Sequence, residues 1–169
     1  LIVGTDPTYP PMEYLKDKKI AGYDIDLANF IGKEMGTQIE FKNVVFDDLF
    51  TALEKKEIDM IISTVTVTDE RKQKYDFSEP YLQGGQVILT KKDNATITNT
   101  ASLKGKKIGV QKGTTMETEA QKYTTNTSVM RYPDNVQATA ALIKGDVEAI
   151  FADLPSAKSI TNDNPTLKI

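Results

Sequence analysis

The chain has 169 residues, 39% hydrophobic and 27% charged, which suits one globular domain or two small ones with a true core. A net charge of −3, with Lys and Arg scattered along the chain, argues against nucleic acid or an anionic membrane as main partner. Without cysteine or histidine there are no disulfides, thiolate nucleophiles or usual zinc ligands, and the commonest general base is missing; no apolar run is long enough to span a membrane.

Leu1 opens directly into a strand pattern, LIVGT (1–5), with no initiator Met or leader, which reads as a processed or trimmed chain. A Pro-rich loop, DPTYPPMEY, follows. In GYDIDLANFIGKEMG (22–36), Ile25, Ala28, Ile31 and Met35 fall on one helical face, and Gly36 stops the helix. IEFKNV is predicted as a second strand, VFDDLFTALEKKE as a helix, and IDMIIST as a third strand with Ile58–Ser63 buried. The order β-α-β-α-β implies a parallel sheet with loops gathered at the strand ends. Thr68 suits an N-cap, and Asp69 and Glu70 suit the first turn of the next helix. Arg71 in that turn opposes the helix dipole, and such a local contradiction marks a candidate site.

The plan then recurs. KKIGVQ (106–111) is a strand, GTTMETEAQKY a helix start, SVMRYP a strand, NVQATAALIKGD a helix and VEAIFAD a strand. TALEKKEIDMIIS (51–63) can be laid over AALIKGDVEAIFA (140–152). The expected layout is two α/β lobes, residues 1–84 and 94–169, joined by a hinge crossing at 85–93.

Two such sheets facing each other make a cleft lined by the loops at their carboxyl ends. Asp6, Thr64, Thr66, Gln111, Thr115 and Asp153 lie just beyond those ends, with the aromatics Tyr9 and Phe46. Arg71 is a planar fork for a carboxylate, or a clamp pairing with Asp69, Asp76 or Glu79. Asp153 can take an ammonium or cap the helix LPSAKSI. Thr64 and Thr66 can add a carbonyl and a hydroxyl, and the Thr115 amide an anion donor. Asp6 reads equally as a loop cap before Pro7, and Tyr9 and Phe46 as rim packing. KGKKIGVQKGTT lacks the spacing of a nucleotide phosphate loop.

GTDPTYPPMEY, GYDIDLANFIGKEMG, ALEKKEIDMIISTVTVTDERKQKYDFSEPY, LKGKKIGVQKGTT and GDVEAIFAD together resemble the periplasmic amino-acid-binding proteins of ABC importers (solute-binding protein family 3). They occur in that family's order over essentially the whole chain, and DERK…DFSEPY is the most specific stretch. The resemblance implies a type II periplasmic-binding fold, with two α/β lobes closing on one free L-amino acid in the cleft between them. It implies delivery to an ABC permease at the periplasmic or extracellular face of the membrane, with no catalysis, cofactor or metal. Arg71 would hold the α-carboxylate with amides near Thr66 and Thr115; Asp153, the Thr64 carbonyl and Thr66 would hold the α-ammonium. Asp6, Tyr9 and Phe46 match side-chain-contacting positions, with Glu13 adding negative potential, so arginine or lysine is favoured and glutamine comes next. Gln111 and Met116 depart from the relatives. PTLKI ends about where the family's chain returns across the hinge, so lobe 1 is expected to lack that C-terminal segment. A monomer is expected unless another chain supplies the segment. The alternatives are the sensing domain of a membrane receptor or sensor kinase, and a cyclohexadienyl-dehydratase-like enzyme.

Overall fold

The computed structural model describes residues 1–169 apart from the side chain of Thr127. The first half contains β1 (Ile2–Thr5), β2 (Thr8–Tyr9), β3 (Glu13–Lys16), β4 (Lys19–Ala21), α1 (Tyr23–Glu34), β5 (Glu40–Asn43), α2 (Leu49–Glu54), β6 (Met60–Ile61) and the single turn α3 (Asp69–Lys72). The second contains β7 (Gln86–Lys91), β8 (Ile108–Gln111), α4 (Thr115–Gln121), β9 (Val129–Tyr132), α5 (Asn135–Lys144), β10 (Ala149–Asp153), α6 (Leu154–Asp163) and β11 (Leu167–Lys168). Among the described residues no helix is long and apolar enough to cross a membrane.

In the first half, β1 lies between β5 and β6, and both pairings are parallel. Parallel strands covered on both faces need apolar residues throughout. Val3 packs with Ala28 and Ile62 on the α1 side, while Leu49, Ala52 and Ile58 pack on the α2 side. In the second half the order is β11-β7-β10-β8-β9, with β10, β8 and β9 parallel and β7 antiparallel to both of its neighbours. Its two faces carry separate clusters, one around Leu142, Ile150 and Leu167, the other around Leu103, Ile108 and Phe151.

The structure departs from the sequence-based elements at four places. DPTYPPMEY is no simple loop: it supplies β2 and β3 of a small antiparallel sheet, in register Tyr9↔Glu13, that β4 completes. Asp17 and Lys18, both at positive φ, close its two-residue turn. The strand expected over Ile58–Ser63 pairs in register with β1 only at Met60–Ile61, flanked by bonds from the Asp59 amide to the Ile2 carbonyl and from the Ile62 amide to the Gly4 carbonyl; just beyond, Thr64 sits at φ 49 and turns the chain. Met35 is 64% exposed at the end of α1, and Gly32 is buried in its place. A Cβ on Gly32 would stand 2.6 Å from Ile39, so this turn of the helix can approach β5 only without a side chain. Finally, most of the expected crossing 85–93 is strand β7, whose Leu89 is fully buried in the second core.

Candidate functional site

Most of the candidate residues reach the site because a strand ends there; Phe46, Arg71 and Thr115 come from a 3-10 turn and the starts of α3 and α4. β1 delivers Asp6, β6 runs into Ser63, Thr64 and Thr66, β8 ends at Gln111, and β10 ends at Asp153. The hairpin β2–β3 adds Tyr9 and Glu13, and a short 3-10 turn adds Phe46. All nine candidates, Thr115 and Arg71 included, border one narrow, nearly closed cleft between the two halves, with about 20 Å³ of free volume. Glu13, Ser63, Thr114 and Met116 line it too. Sequence reasoning did not find Ser63 or Thr114; each is a small hydroxyl beside a residue that it did find. Among the described residues no cluster of three or more acidic side chains is placed to hold a metal ion.

Arg71 is held by main-chain carbonyls. Its Nη1 donates to the Thr66 carbonyl at 2.9 Å and its Nη2 to the Gly113 carbonyl at 3.1 Å. The guanidinium also lies 5.1 Å from the Phe50 ring centroid and 5.9 Å from that of Phe46. Among the described residues it forms no ion pair, so the clamp with Asp69, Asp76 or Glu79 does not form. Burial pulls its pKa below the usual value, with the nearby Glu70 opposing. Thr68 caps α3 as expected, its hydroxyl accepting from the Arg71 amide at 3.2 Å. The dipole conflict at Arg71 is milder than the sequence suggests: α3 is four residues long, so its first turn is also its last.

Asp153 stands at the N-cap of α6 without capping it. Its Oδ2 instead accepts the Tyr9 hydroxyl proton at 2.7 Å, and its amide donates to the same Tyr9 oxygen at 3.1 Å. Burial raises the Asp153 pKa, and the Tyr9 bond partly offsets this. The Tyr9 hydroxyl is pushed well up by burial and by Asp153.

Asp6 is 3% exposed and accepts three bonds: from Thr8 Oγ1 at 2.9 Å, the Phe46 amide at 3.0 Å and Gln111 Nε2 at 2.9 Å. It therefore serves as a loop organiser and also as a bridge between the halves. Burial still raises its pKa, with those donors opposing. Gln111 is the residue that spans to Asp6 from the other half. Thr115 opens α4, its hydroxyl accepting from Gln86 Nε2 at 2.8 Å.

Thr64, left-handed at φ 49, is fixed from behind the cleft. Its amide donates to Asp24 Oδ2 at 2.8 Å, and its hydroxyl lies 3.0 Å from Glu13 Oε2. A β-branched residue adopts this conformation only where its surroundings force it. Contacts between the halves close the cleft: Tyr9–Asp153, Asp6–Gln111, Arg71–Gly113 and an exposed Lys112–Asp47 ion pair at 2.9 Å.

Residues 1–168 match the family described as bacterial extracellular solute-binding proteins, family 3. The chain belongs to that family. It is 40% identical over 167 residues to the probable histidine-binding protein of Campylobacter jejuni, covering 99% of this chain and 65% of that one. The arginine-, lysine-, histidine-binding protein ArtJ of Geobacillus stearothermophilus superposes with a TM-score of 0.95 at 41% identity, over 99% of this chain and 74% of ArtJ. The arginine-bound form of truncated ArgBP from T. maritima gives 0.95 at 36%, over 100% of this chain and 80% of that one. The family-3 chain thus has the two-lobe, type II periplasmic-binding fold, and it spans about two-thirds of the curated relative's length.

Proposed function

We propose that this family-3 chain captures one free polar or basic L-amino acid in the cleft, for delivery to an ABC permease from the periplasmic or extracellular face of the membrane. The observation that carries the reading is Arg71: a cation held in place by two carbonyls, with no carboxylate partner among the described residues, in the same cleft as Asp153. An α-amino acid zwitterion supplies the two charges these residues lack, its carboxylate to Arg71 and its ammonium to Asp153. The Thr64 carbonyl and Thr66 complete the ammonium end, and amides near Thr66 and Thr115 the carboxylate end.

Asp6, Tyr9, Phe46 and Gln111 face the side chain, with Glu13 at the hairpin end. Relatives named for histidine, arginine and lysine support a basic ligand. Arginine or lysine is favoured, with glutamine next. In this reading the second moving lobe begins at β7, whose Leu89 is part of its core, so the lobes are residues 1–84 and 86–169. The pivot is the short link before β7, where Gly84 and Gly85 have no neighbouring atoms at their Cβ positions. Closure requires a ligand that binds the shut form better, and one gripped from both lobes does so.

Thermal melting against all twenty free amino acids tests this. A ligand at 100 times its dissociation constant adds about 2.7 kcal/mol, or roughly 5–11 °C at this size, since each 1 kcal/mol moves the melting temperature by about 2–4 °C. A rise with arginine or lysine is expected. A rise with glutamine alone overturns the basic preference, and no rise with any amino acid overturns the binding reading.

A further inference from the structure

Behind Thr64 two carboxyl groups meet in the interior. Glu13, from β3, is 1% exposed, and Asp24, from the first turn of α1, is 0% exposed. Among the described residues neither has a cationic partner. Their donors are hydroxyls and one amide. Ser63 Oγ donates to Glu13 Oε1 at 3.1 Å, and the Tyr81 hydroxyl to Asp24 Oδ2 at 2.9 Å. The Thr64 amide also donates to Asp24 Oδ2, at 2.8 Å. The Thr64 hydroxyl has one proton, yet it lies 3.0 Å from Glu13 Oε2 and 3.4 Å from both Glu13 Oε1 and Asp24 Oδ2. The remaining oxygen, Asp24 Oδ1, is fully buried with no donor from the rest of the protein. Two ionised carboxylates side by side in a dry interior repel each other and cost several kcal/mol each in desolvation. A proton on Glu13, donated to Asp24, removes the repulsion and gives the buried acids a donor.

We infer that Glu13 and Asp24 share a single proton that braces Thr64 behind the cleft, and that uptake of an amino acid with a cationic side chain expels it. The inference rests on the amino-acid reading above. Glu13 borders both the acid pair and the cleft, so a cation entering there replaces the proton as counter-charge: Glu13–COOH becomes Glu13–COO⁻, and H⁺ passes to solvent. A neutral side chain brings no such charge and leaves the proton in place.

Burial and the adjacent Asp24 push Glu13 up to about 10; burial raises Asp24 as well, with hydrogen bonds from Thr64, Tyr81 and Glu13 opposing. Glu13, which lacks the amide donor that Asp24 has from Thr64, is the member placed to carry the shared proton. The other titratable groups facing the pair are the hydroxyls of Tyr9 and Tyr81, both pushed up by burial. Asp6, Asp153 and Arg71 share the cleft with Glu13, and Arg71 is already bonded to the Thr66 and Gly113 carbonyls.

The shared proton is read in the ligand-free chain by carboxyl-carbon NMR on protein labelled at glutamate and aspartate. The expected result is one glutamate resonance that stays at the protonated position through neutral pH and is missing from Glu13→Gln. A Glu13 carbon that titrates in the ordinary glutamate range overturns the shared proton, whatever binds. Coupling is read by calorimetry of L-arginine and L-glutamine in buffers of differing ionisation enthalpy. Wild type is expected to release about one proton per arginine bound and none with glutamine. Arginine binding with no release overturns the coupling. If neither amino acid nor any other binds, the reading of the cleft falls and the coupling with it, while the resonance still decides the shared proton.

Discussion

Arg71 shows what a single residue contributes. Its guanidinium is placed by two main-chain carbonyls, and under the proposed reading its charge is what a ligand carboxylate would meet. Arg71→Ala is expected to weaken every amino acid by roughly 10-fold to 100-fold or more, the worth of a charge-assisted bidentate pair. Arg71→Lys keeps the charge but loses the fork, and is expected to recover only part of the loss. Wild-type affinity in Arg71→Ala by calorimetry would make the residue a brace for the Thr66 and Gly113 loops instead. Asp6 plays a different part, since three donors converge on it. Asp6→Ala strands the buried Phe46 amide and the Gln111 amide group. It is expected to cost about 1–3 kcal/mol in chemical denaturation as well as altering ligand preference. At Glu13 the folded pKa of about 10 lies above the ordinary carboxylate range. Between that range and about 10 the unfolded chain gives up a proton that the native chain keeps, so stability falls as pH rises through the window. Glu13→Gln removes the slope. Its melting temperature should gain on wild type from about pH 7 to about pH 9, and parallel profiles would refute it.

Among the elements, those built on sustained apolar patterns were legible in the sequence. β1, α1, β5, α5 and β10 stand where their periodicity puts them, and the matching helix-turn-strand stretches fall at equivalent places in the two lobes. What stayed hidden has physical causes. Strands of two to four residues, as in β2 to β4, are too short to show alternation, and Pro10 and Pro11 mask what remains. Their turn uses Asp17 and Lys18 where a glycine would have announced it. Because the hairpin was hidden, so was the meeting of Glu13 with Asp24, eleven residues on in sequence but joined only through β3 and α1. The left-handed bend at Thr64 is likewise set by tertiary hydrogen bonds that no local pattern encodes. Lys18 sits at φ 64, a conformation glycine adopts freely. Lys18→Gly is therefore expected to stabilise the chain, or at worst leave it unchanged, despite glycine's extra unfolded-state entropy; a loss beyond about 1 kcal/mol would contradict this account of the turn.

The whole molecule works through contacts between the lobes, and these are polar. Tyr9 with Asp153, Asp6 with Gln111 and Lys112 with Asp47 fasten the cleft with little apolar burial between them. The Lys112–Asp47 pair is exposed, so solvent screens it and it adds little. Gly113 matters more. It sits at φ 76, and a Cβ there would stand 2.5 Å from Asp47 Oδ1 across the cleft mouth. Gly113→Ala is expected to weaken ligand binding by about tenfold or more by opposing closure. Unchanged affinity would show that the mouth has slack.

The way Asp153 is mounted has a further consequence. It pairs in register with Gln86 at the start of β7, the next amide, Leu154 N, donates to the Gly85 carbonyl at 2.9 Å, and Gln86 also reaches Thr115. The residue that would grip the ammonium is thus bolted to the chain where one lobe passes into the other. On the proposed reading, Asp153 would move with that link, and the residence time of a captured amino acid would depend on Gly84 and Gly85 as well as on the groups that touch it. Stiffening that link should lengthen or shorten residence while leaving the chemistry of recognition alone.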